Sequence, residues 1–209
     1  MPPLRLSLRV LEEKIVILVL AAGPSHRFGK PKQLLEYKGK TLLENVIDNA
    51  IQSTIGPVLV VTGANHSKLE RILKKYDSIK TVHHKGWSKG LSSSIQKGLN
   101  ASRKYFPNLY GILILLCDQP LVNHEHIIDI VRSHYAYGKK IIASGYGGSY
   151  GVPVFFHKTI FGYLDKISET EGAKTVISKL KQDVHVIPNA DAEFDVDTPE
   201  SYKKLLKRK

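Results

Sequence analysis

An α/β fold of three layers, a mostly parallel sheet with helices on both faces, is predicted by three observations. Short apolar runs rich in Val, Ile and Leu alternate along the chain with longer segments whose apolar residues recur at helical spacing. Several of the short runs, such as Ile15 to Ala22 and Gly111 to Cys117, are apolar at every position, as expected of parallel strands buried on both faces. Helix start and stop signals fall in the intervals between them.

The strand candidates, in order, are 14–20, 57–62, 79–83, 111–117, 139–144, 152–156 and 184–187. A helix opens at Thr41, where Thr41-Leu42-Leu43-Glu44 has the spacing of a capping box: hydroxyl and carboxylate satisfy amides of the first turn that lack intrahelical partners. Further helices are predicted at 66–76, 91–105, 124–137 with Gly138 as a left-handed stop, 158–166 and 172–181. Thr198-Pro199 opens the last one, because proline at the first helical position loses no hydrogen bond.

The 209 residues suffice for one substantial core, and a hydrophobic fraction of 42% is ordinary for a globular domain. A single domain over 14–209 is expected, preceded by a loose arm at 1–13 that carries Pro2, Pro3 and mixed charge. The apolar runs are too short to cross a bilayer and the N-terminus lacks a signal-peptide pattern, so the expectation is a cytoplasmic protein with no membrane partner. One cysteine, Cys117, excludes an intramolecular disulfide framework. The net charge of +12 invites a nucleic-acid reading, but the basic residues are scattered. Their one dense cluster, Lys203 to Lys209, closes a helix, so anionic small substrates are expected rather than nucleic acid.

Three stretches carry chemistry. In Val16 to Gln33 a buried strand delivers a loop of small residues, Ala21-Ala22-Gly23, whose backbone amides can approach phosphate oxygens, with Arg27, Lys30 and Lys32 as nearby cations. It is not a Walker loop, since five residues separate Gly23 from Gly29 and Pro31 stands where Ser or Thr would bind magnesium. In Gly111 to Pro120 a carboxylate, Asp118, follows an apolar strand and so sits at the carboxyl edge of the sheet, where open α/β folds place ligands. A turn-capping role would explain Asp118 equally well. In Phe194 to Tyr202, Asp195 and Asp197 lie on one side of an extended segment, so at least one could join Asp118 around a hard cation. His124 and His126 are two apart on a helix and make a poor zinc pair.

Together these stretches resemble the molybdenum cofactor nucleotidyltransferase family, particularly its cytidylyltransferases, within the Rossmann-like, glycosyltransferase-A-like nucleotidyltransferases. The resemblance is carried by Leu20-Ala21-Ala22-Gly23-x-Ser25-x-Arg27-Phe28-Gly29-x-x-Lys32-Gln33-Leu34-Leu35, Trp87-x-x-Gly90-x-Ser92-Ser93-Ser94, Cys117-Asp118-Gln119-Pro120 and Asp195-Val196-Asp197-Thr198-Pro199, ordered along 15–202. It implies that Leu20, Ala21, Ala22 and Gly23 meet the nucleotide, with Arg27 and Lys32 on its phosphates. It implies Mg2+ on Asp118 and Asp197, and makes Arg27, Lys32 and Asp118 the catalytic set. Gly90, Ser92 and Ser93 resemble the loop beside the base, although His83-His84 stand where the family commonly has Asn. Gly145 to Pro153 resembles the segment beside the acceptor pocket.

The implied reaction transfers a nucleoside monophosphate from a nucleoside triphosphate, CTP favoured, to the terminal phosphate of molybdopterin, with a recipient molybdoenzyme as a further possible partner. Pro31, Lys32 and Gln33 also resemble the cytidylyltransferase of isoprenoid synthesis, which leaves sugar- or polyol-phosphate acceptors open. A carrier of molybdenum cofactor without turnover is the non-enzymatic alternative.

Overall fold

The computed structural model describes residues 13–25, 28–169 and 171–208. The expected arm, apart from Glu13, and Arg27 of the first motif lie outside the described residues. All seven predicted strands form one sheet, and none is displaced by more than a few residues. The strands are β1 (Lys14–Ala21), β4 (Val58–Thr62), β5 (Ile79–His83), β6 (Leu109–Leu116), β7 (Ile141–Tyr146), β8 (Ser149–His157) and β9 (Val184–Pro188). The numbers β2 (Glu36–Tyr37) and β3 (Lys40–Thr41) belong to a small separate hairpin that hydrophobic periodicity does not reveal, because two-residue strands have none.

The order across the sheet is β5-β4-β1-β6-β8-β7-β9. β1 runs parallel to β4 and β6 and β4 parallel to β5, while β8 is antiparallel to both neighbours, β6 and β7. With β9 parallel to β7, every strand but β8 points the same way. β1 lies near the middle, and residues Val16 to Val19 have no exposed surface, which explains its unbroken apolar sequence.

The helices are α1 (Leu42–Gln52), α2 (His66–Leu73), α3 (Leu91–Tyr105), α4 (His124–Tyr137), α5 (Phe161–Leu164), α6 (Ala173–Lys179) and α7 (Pro199–Leu206). The capping box at Thr41 and Glu44 forms as expected, and Thr198 caps α7 with Ser201 as its reciprocal partner. Gly138 ends α4 at φ 64°. The helix expected at 158–166 is instead a 3-10 turn over Lys158–Ile160 followed by the single turn of α5. Two large apolar cores, one on each face of the sheet, account for the three layers. One packs alternate β1 residues Ile15, Ile17 and Val19 against α1, α2 and α4; the other packs Val16, Leu18 and Leu20 against α3, α5 and α6. A third, smaller core gathers Leu35, Tyr37, Leu42, Val196 and Leu205, so the hairpin, α1 and α7 close around the segments that carry the motifs.

Candidate active site

Strands β1, β4 and β6 are neighbours and end at the same edge of the sheet, so the loops that follow them converge there. After β1 the chain passes through Ala22 and Gly23 into a turn. A Cβ added to Gly23 would meet nothing within 4 Å, so this backbone faces open space. The loop is held from behind by Gln33, which is fully buried. Its amide nitrogen donates to the carbonyls of Ala21 at 3.1 Å and Gly23 at 2.9 Å, and its amide oxygen accepts from Ser25 Oγ at 3.2 Å. Ser25, at φ 61°, also accepts from the backbone amide of Lys32 at 2.9 Å, which closes the loop on itself.

The turn after β4 supports the loop from the side. Ala64 N donates to Ala22 O at 3.1 Å and Asn65 Nδ2 to Gly23 O at 3.3 Å. Gly63 permits that approach: a Cβ there would lie 2.5 Å from the Ala22 carbonyl oxygen and 2.7 Å from Trp87 Cβ. Sequence reasoning missed this turn, yet Gly63-Ala64-Asn65 follows an apolar strand just as Asp118 does, and the same edge-of-sheet argument would have found it.

After β6, Asp118 accepts through its backbone carbonyl from Val196 N at 2.8 Å. That bond lays the Phe194 to Asp197 segment against the strand end, with Val196 buried between the two aspartates. Lys32 completes the centre. Its ammonium pairs with Asp118 Oδ2 and, at 2.8 Å, with Asp197 Oδ1. The Lys32 and Asp118 side chains keep only 15% and 16% of their surface, against 49% for Asp197, so the first pair is the more enclosed. Burial alone would lower the Lys32 pKa, but the adjacent carboxylates, Asp118 foremost, reverse that and hold it above its ordinary value. It is a permanent cation.

Asp195 is an exposed residue, and the ion pairs of Lys32 are with Asp118 and Asp197. Protein crowded around its carboxyl, together with the charges of Asp118 and Asp197, pushes its pKa up to about 7. Between Asp195 and Asp197, then, it is Asp197 that shares Lys32 with Asp118. The Cys117 thiol, buried beside Asp118, is pushed up to about 12 and is no nucleophile.

These residues fit a divalent cation. Asp118 Oδ1 is buried with no hydrogen-bond partner among the described residues, and a carboxylate oxygen in that state is a donor awaiting a ligand. The ammonium between two carboxylates marks where positive charge is held. No cluster of three or more His, Cys, Asp or Glu suited to a metal exists among the described residues. A cation here would draw on two carboxylates and on ligand phosphates, as Mg2+ commonly does.

Between the β1 loop and the start of α3 lies a cavity of about 260 Å³. Leu20, Ala22, Gly23, Lys32, Gly90 and Asp118 line it, as do Trp87 and Ser94. The structure thus brings six of the expected residues to one cavity. Ala21 faces Gln33 through its carbonyl. Ser92 and Ser93 are buried in the first turn of α3, where Ser93 Oγ meets His84 Nε2 at 2.8 Å and donates to Gly90 O at 2.7 Å. Ser94, one position on, lines the cavity instead.

The remaining candidates lie elsewhere. His126 is buried and bonded to Ser144 Oγ at 2.7 Å, and His124 sits near Glu125, so the two do not converge. Gly145 to Pro153 spans the end of β7, the β7–β8 turn and the start of β8. Gln119 ties that region to the site by donating to Val152 O at 3.2 Å and Ala192 O at 2.7 Å.

The chain is 29% identical over 199 residues to the purine catabolism protein PucB of Bacillus subtilis (strain 168), covering 90% of this chain and 94% of the relative. It is 32% identical over 120 residues to the nicotine blue oxidoreductase of Paenarthrobacter nicotinovorans, covering 56% of this chain and 55% of that one. It is 30% identical over 112 residues to a probable molybdenum cofactor guanylyltransferase of Bacillus cereus (strain AH187), covering 52% and 50%. The last two matches span about half of each relative. Among solved structures, Rv0371c from Mycobacterium tuberculosis H37Rv superposes with a TM-score of 0.80 at 28% identity, over 94% of this chain and 99% of that chain. A second structure of Rv0371c, in complex with manganese, superposes with a TM-score of 0.74 at 26% identity, over 94% and 100%. Residues 17–185, which include the β1 loop, Lys32 and Asp118, match the MobA-like NTP transferase domain family, and the chain belongs to it.

Proposed function

We propose that this chain transfers a nucleoside monophosphate from a nucleoside triphosphate, CTP favoured, to the terminal phosphate of a molybdopterin-type acceptor, releasing pyrophosphate. The observation that carries the reading is the Lys32, Asp118 and Asp197 centre at the wall of a cavity edged by exposed loop backbone. An acceptor phosphate oxygen attacks the α-phosphorus, a new P–O bond forms, and the bond to the bridging oxygen breaks with its electron pair leaving on pyrophosphate. A terminal phosphate is already anionic, so no strong general base is needed and catalysis reduces to alignment and charge neutralisation.

The Leu20 to Gly23 backbone would seat the nucleotide, and Lys32 with Arg27 would neutralise charge growing on pyrophosphate. Gln33 holds the loop in the shape this requires. Asp118 and Asp197 would hold Mg2+, whose contribution is electrophilic charge on the phosphate oxygens. The manganese bound to Rv0371c supports a divalent cation in this fold. A cytoplasmic site of action fits a single, buried cysteine.

CTP is favoured by Ala21-Ala22-Gly23, where guanylyltransferase relatives usually show Ala-Gly-Gly. GTP is the second reading, favoured by the relative named as a guanylyltransferase. A thermal-shift panel of CTP, GTP, UTP and ATP with magnesium separates them, because a ligand bound to the native state raises its stability. The largest shift is expected with CTP, and pyrophosphate release is expected once acceptor is added. Preference for GTP overturns the base assignment; no shift with any nucleotide and no pyrophosphate overturns the reaction.

A further inference from the structure

We infer that in the nucleotide-free protein the Lys32 ammonium itself occupies the cation position between Asp118 and Asp197, so that a divalent cation binds productively only together with a nucleotide that draws Lys32 away. The inference rests on the proposed reaction for the identity of that ligand, but the exchange is a property of the three side chains.

The geometry leaves a bare cation little to bind. Asp118 Oδ2 and Asp197 Oδ1 are both engaged by the ammonium. Asp118 Oδ1, buried and without a hydrogen-bond partner among the described residues, is a single further ligand, too few for a hard cation that takes about six oxygens. A dication arriving with Lys32 in place would set three positive charges against the two negative charges of these aspartates. Enclosure of the Lys32 and Asp118 side chains strengthens that repulsion relative to open solvent. A nucleoside triphosphate changes the balance, because its phosphates give the ammonium anionic partners and supply the cation with further oxygens.

Lys32 is built to make the exchange without disturbing the loop. Its backbone amide is fixed on Ser25 Oγ at 2.9 Å, and its neighbour Gln33 is buried and bonded to two loop carbonyls. Only the flexible four-carbon stem has to turn. The side chain already lines the cavity as well as touching the carboxylates, so a swing toward bound phosphates crosses no packed wall.

The test is Mn2+ titrated into the nucleotide-free full-length protein, with free Mn2+ read by electron paramagnetic resonance. Wild type should bind weakly. Lys32→Met, or Lys32→Gln if the first fails to fold by circular dichroism, should bind Mn2+ about tenfold or more tightly, as expected when a charge-assisted contact no longer competes. Lys32→Arg should behave like wild type, and adding Asp118→Asn to Lys32→Met should abolish the gain. Equal Mn2+ affinity in wild type and the neutral variants overturns the exchange. Tighter Mn2+ binding by the neutral variants combined with failure of every nucleotide to raise the wild-type Mn2+ affinity would keep the ammonium as competitor but overturn its release by nucleotide, and would count against the proposed reaction as well.

Discussion

Gln33 offers the most direct way to ask whether the β1 loop is a constructed nucleotide seat. The side chain is fully buried and makes three hydrogen bonds, two as donor to Ala21 O and Gly23 O and one as acceptor from Ser25 Oγ. Gln33→Leu keeps similar bulk and removes all three. At about 0.5–1.5 kcal/mol net for each neutral bond, the three sum to about 1.5–4.5 kcal/mol. Gly23 O retains the 3.3 Å bond from Asn65, so a loss of about 2–3 kcal/mol is expected. Part should appear as a lower urea midpoint and the rest as nucleotide affinity reduced by about tenfold or more, since a loosened loop must be ordered on binding. Gln33→Glu, nearly isosteric, should be worse than Leu, because an ionised carboxylate has no proton to give and would face the two carbonyl oxygens unpaired. A Gln33→Leu protein with the wild-type urea midpoint and the wild-type thermal response to nucleotide would refute the reasoning, leaving the loop shaped by backbone alone.

Four other outcomes are expected. Asp118→Asn should fold normally by circular dichroism yet lose most turnover at limiting magnesium, recovering in part as magnesium rises; full activity at limiting magnesium would remove Asp118 from the cation site. Gly63→Ala should cost about 1–3 kcal/mol in urea denaturation and weaken nucleotide binding, because its Cβ would press on the Ala22 carbonyl at 2.5 Å and on Trp87 at 2.7 Å. Leu205→Ala should cost about 2–5 kcal/mol, since Leu205 is fully buried against the core that holds Val196 between Asp195 and Asp197. Burial pulls the His126 pKa down to about 4, so the unfolded chain takes up a proton that the fold refuses. Stability from this residue is therefore complete above about pH 6.5 and falls as pH drops toward 4, by up to about 3 kcal/mol, and His126→Gln should flatten that part of the urea-midpoint profile.

What the sequence made legible was local. The central parallel strands β1, β4 and β6 were readable because burial on both faces leaves a nearly unbroken apolar run, and α3 and α4 begin and end where their periodicity and the Gly138 stop put them. The order across the sheet was not readable. β8 inserts antiparallel between β6 and β7, and no feature of its own residues distinguishes that place from a parallel neighbour's. The 3-10 turn at Lys158–Ile160 was missed for a different reason: one turn of either helix type presents the same few apolar contacts to a core.

The site shows the same division between what a residue's neighbours dictate and what distant chain decides. Asp118 could be placed at the sheet edge because the strand before it ends there, but its pairing with Lys32 spans 86 positions and depends on β1 and β6 being adjacent in the sheet. Asp197 could not be told from Asp195 by alternation, which puts both on one side; burial of Val196 and its amide bond to Asp118 O determine how that segment lies. The serine at the cavity, Ser94 rather than Ser92 or Ser93, depends on helical phase. Successive helix residues are rotated by roughly 100°, so the serine that faces the cavity depends on where Gly90 starts the turn, at φ 99°, and on how α3 rolls against Leu18. Residue type restricts the candidates to a run of three hydroxyls, and packing of the helix on the sheet selects among them.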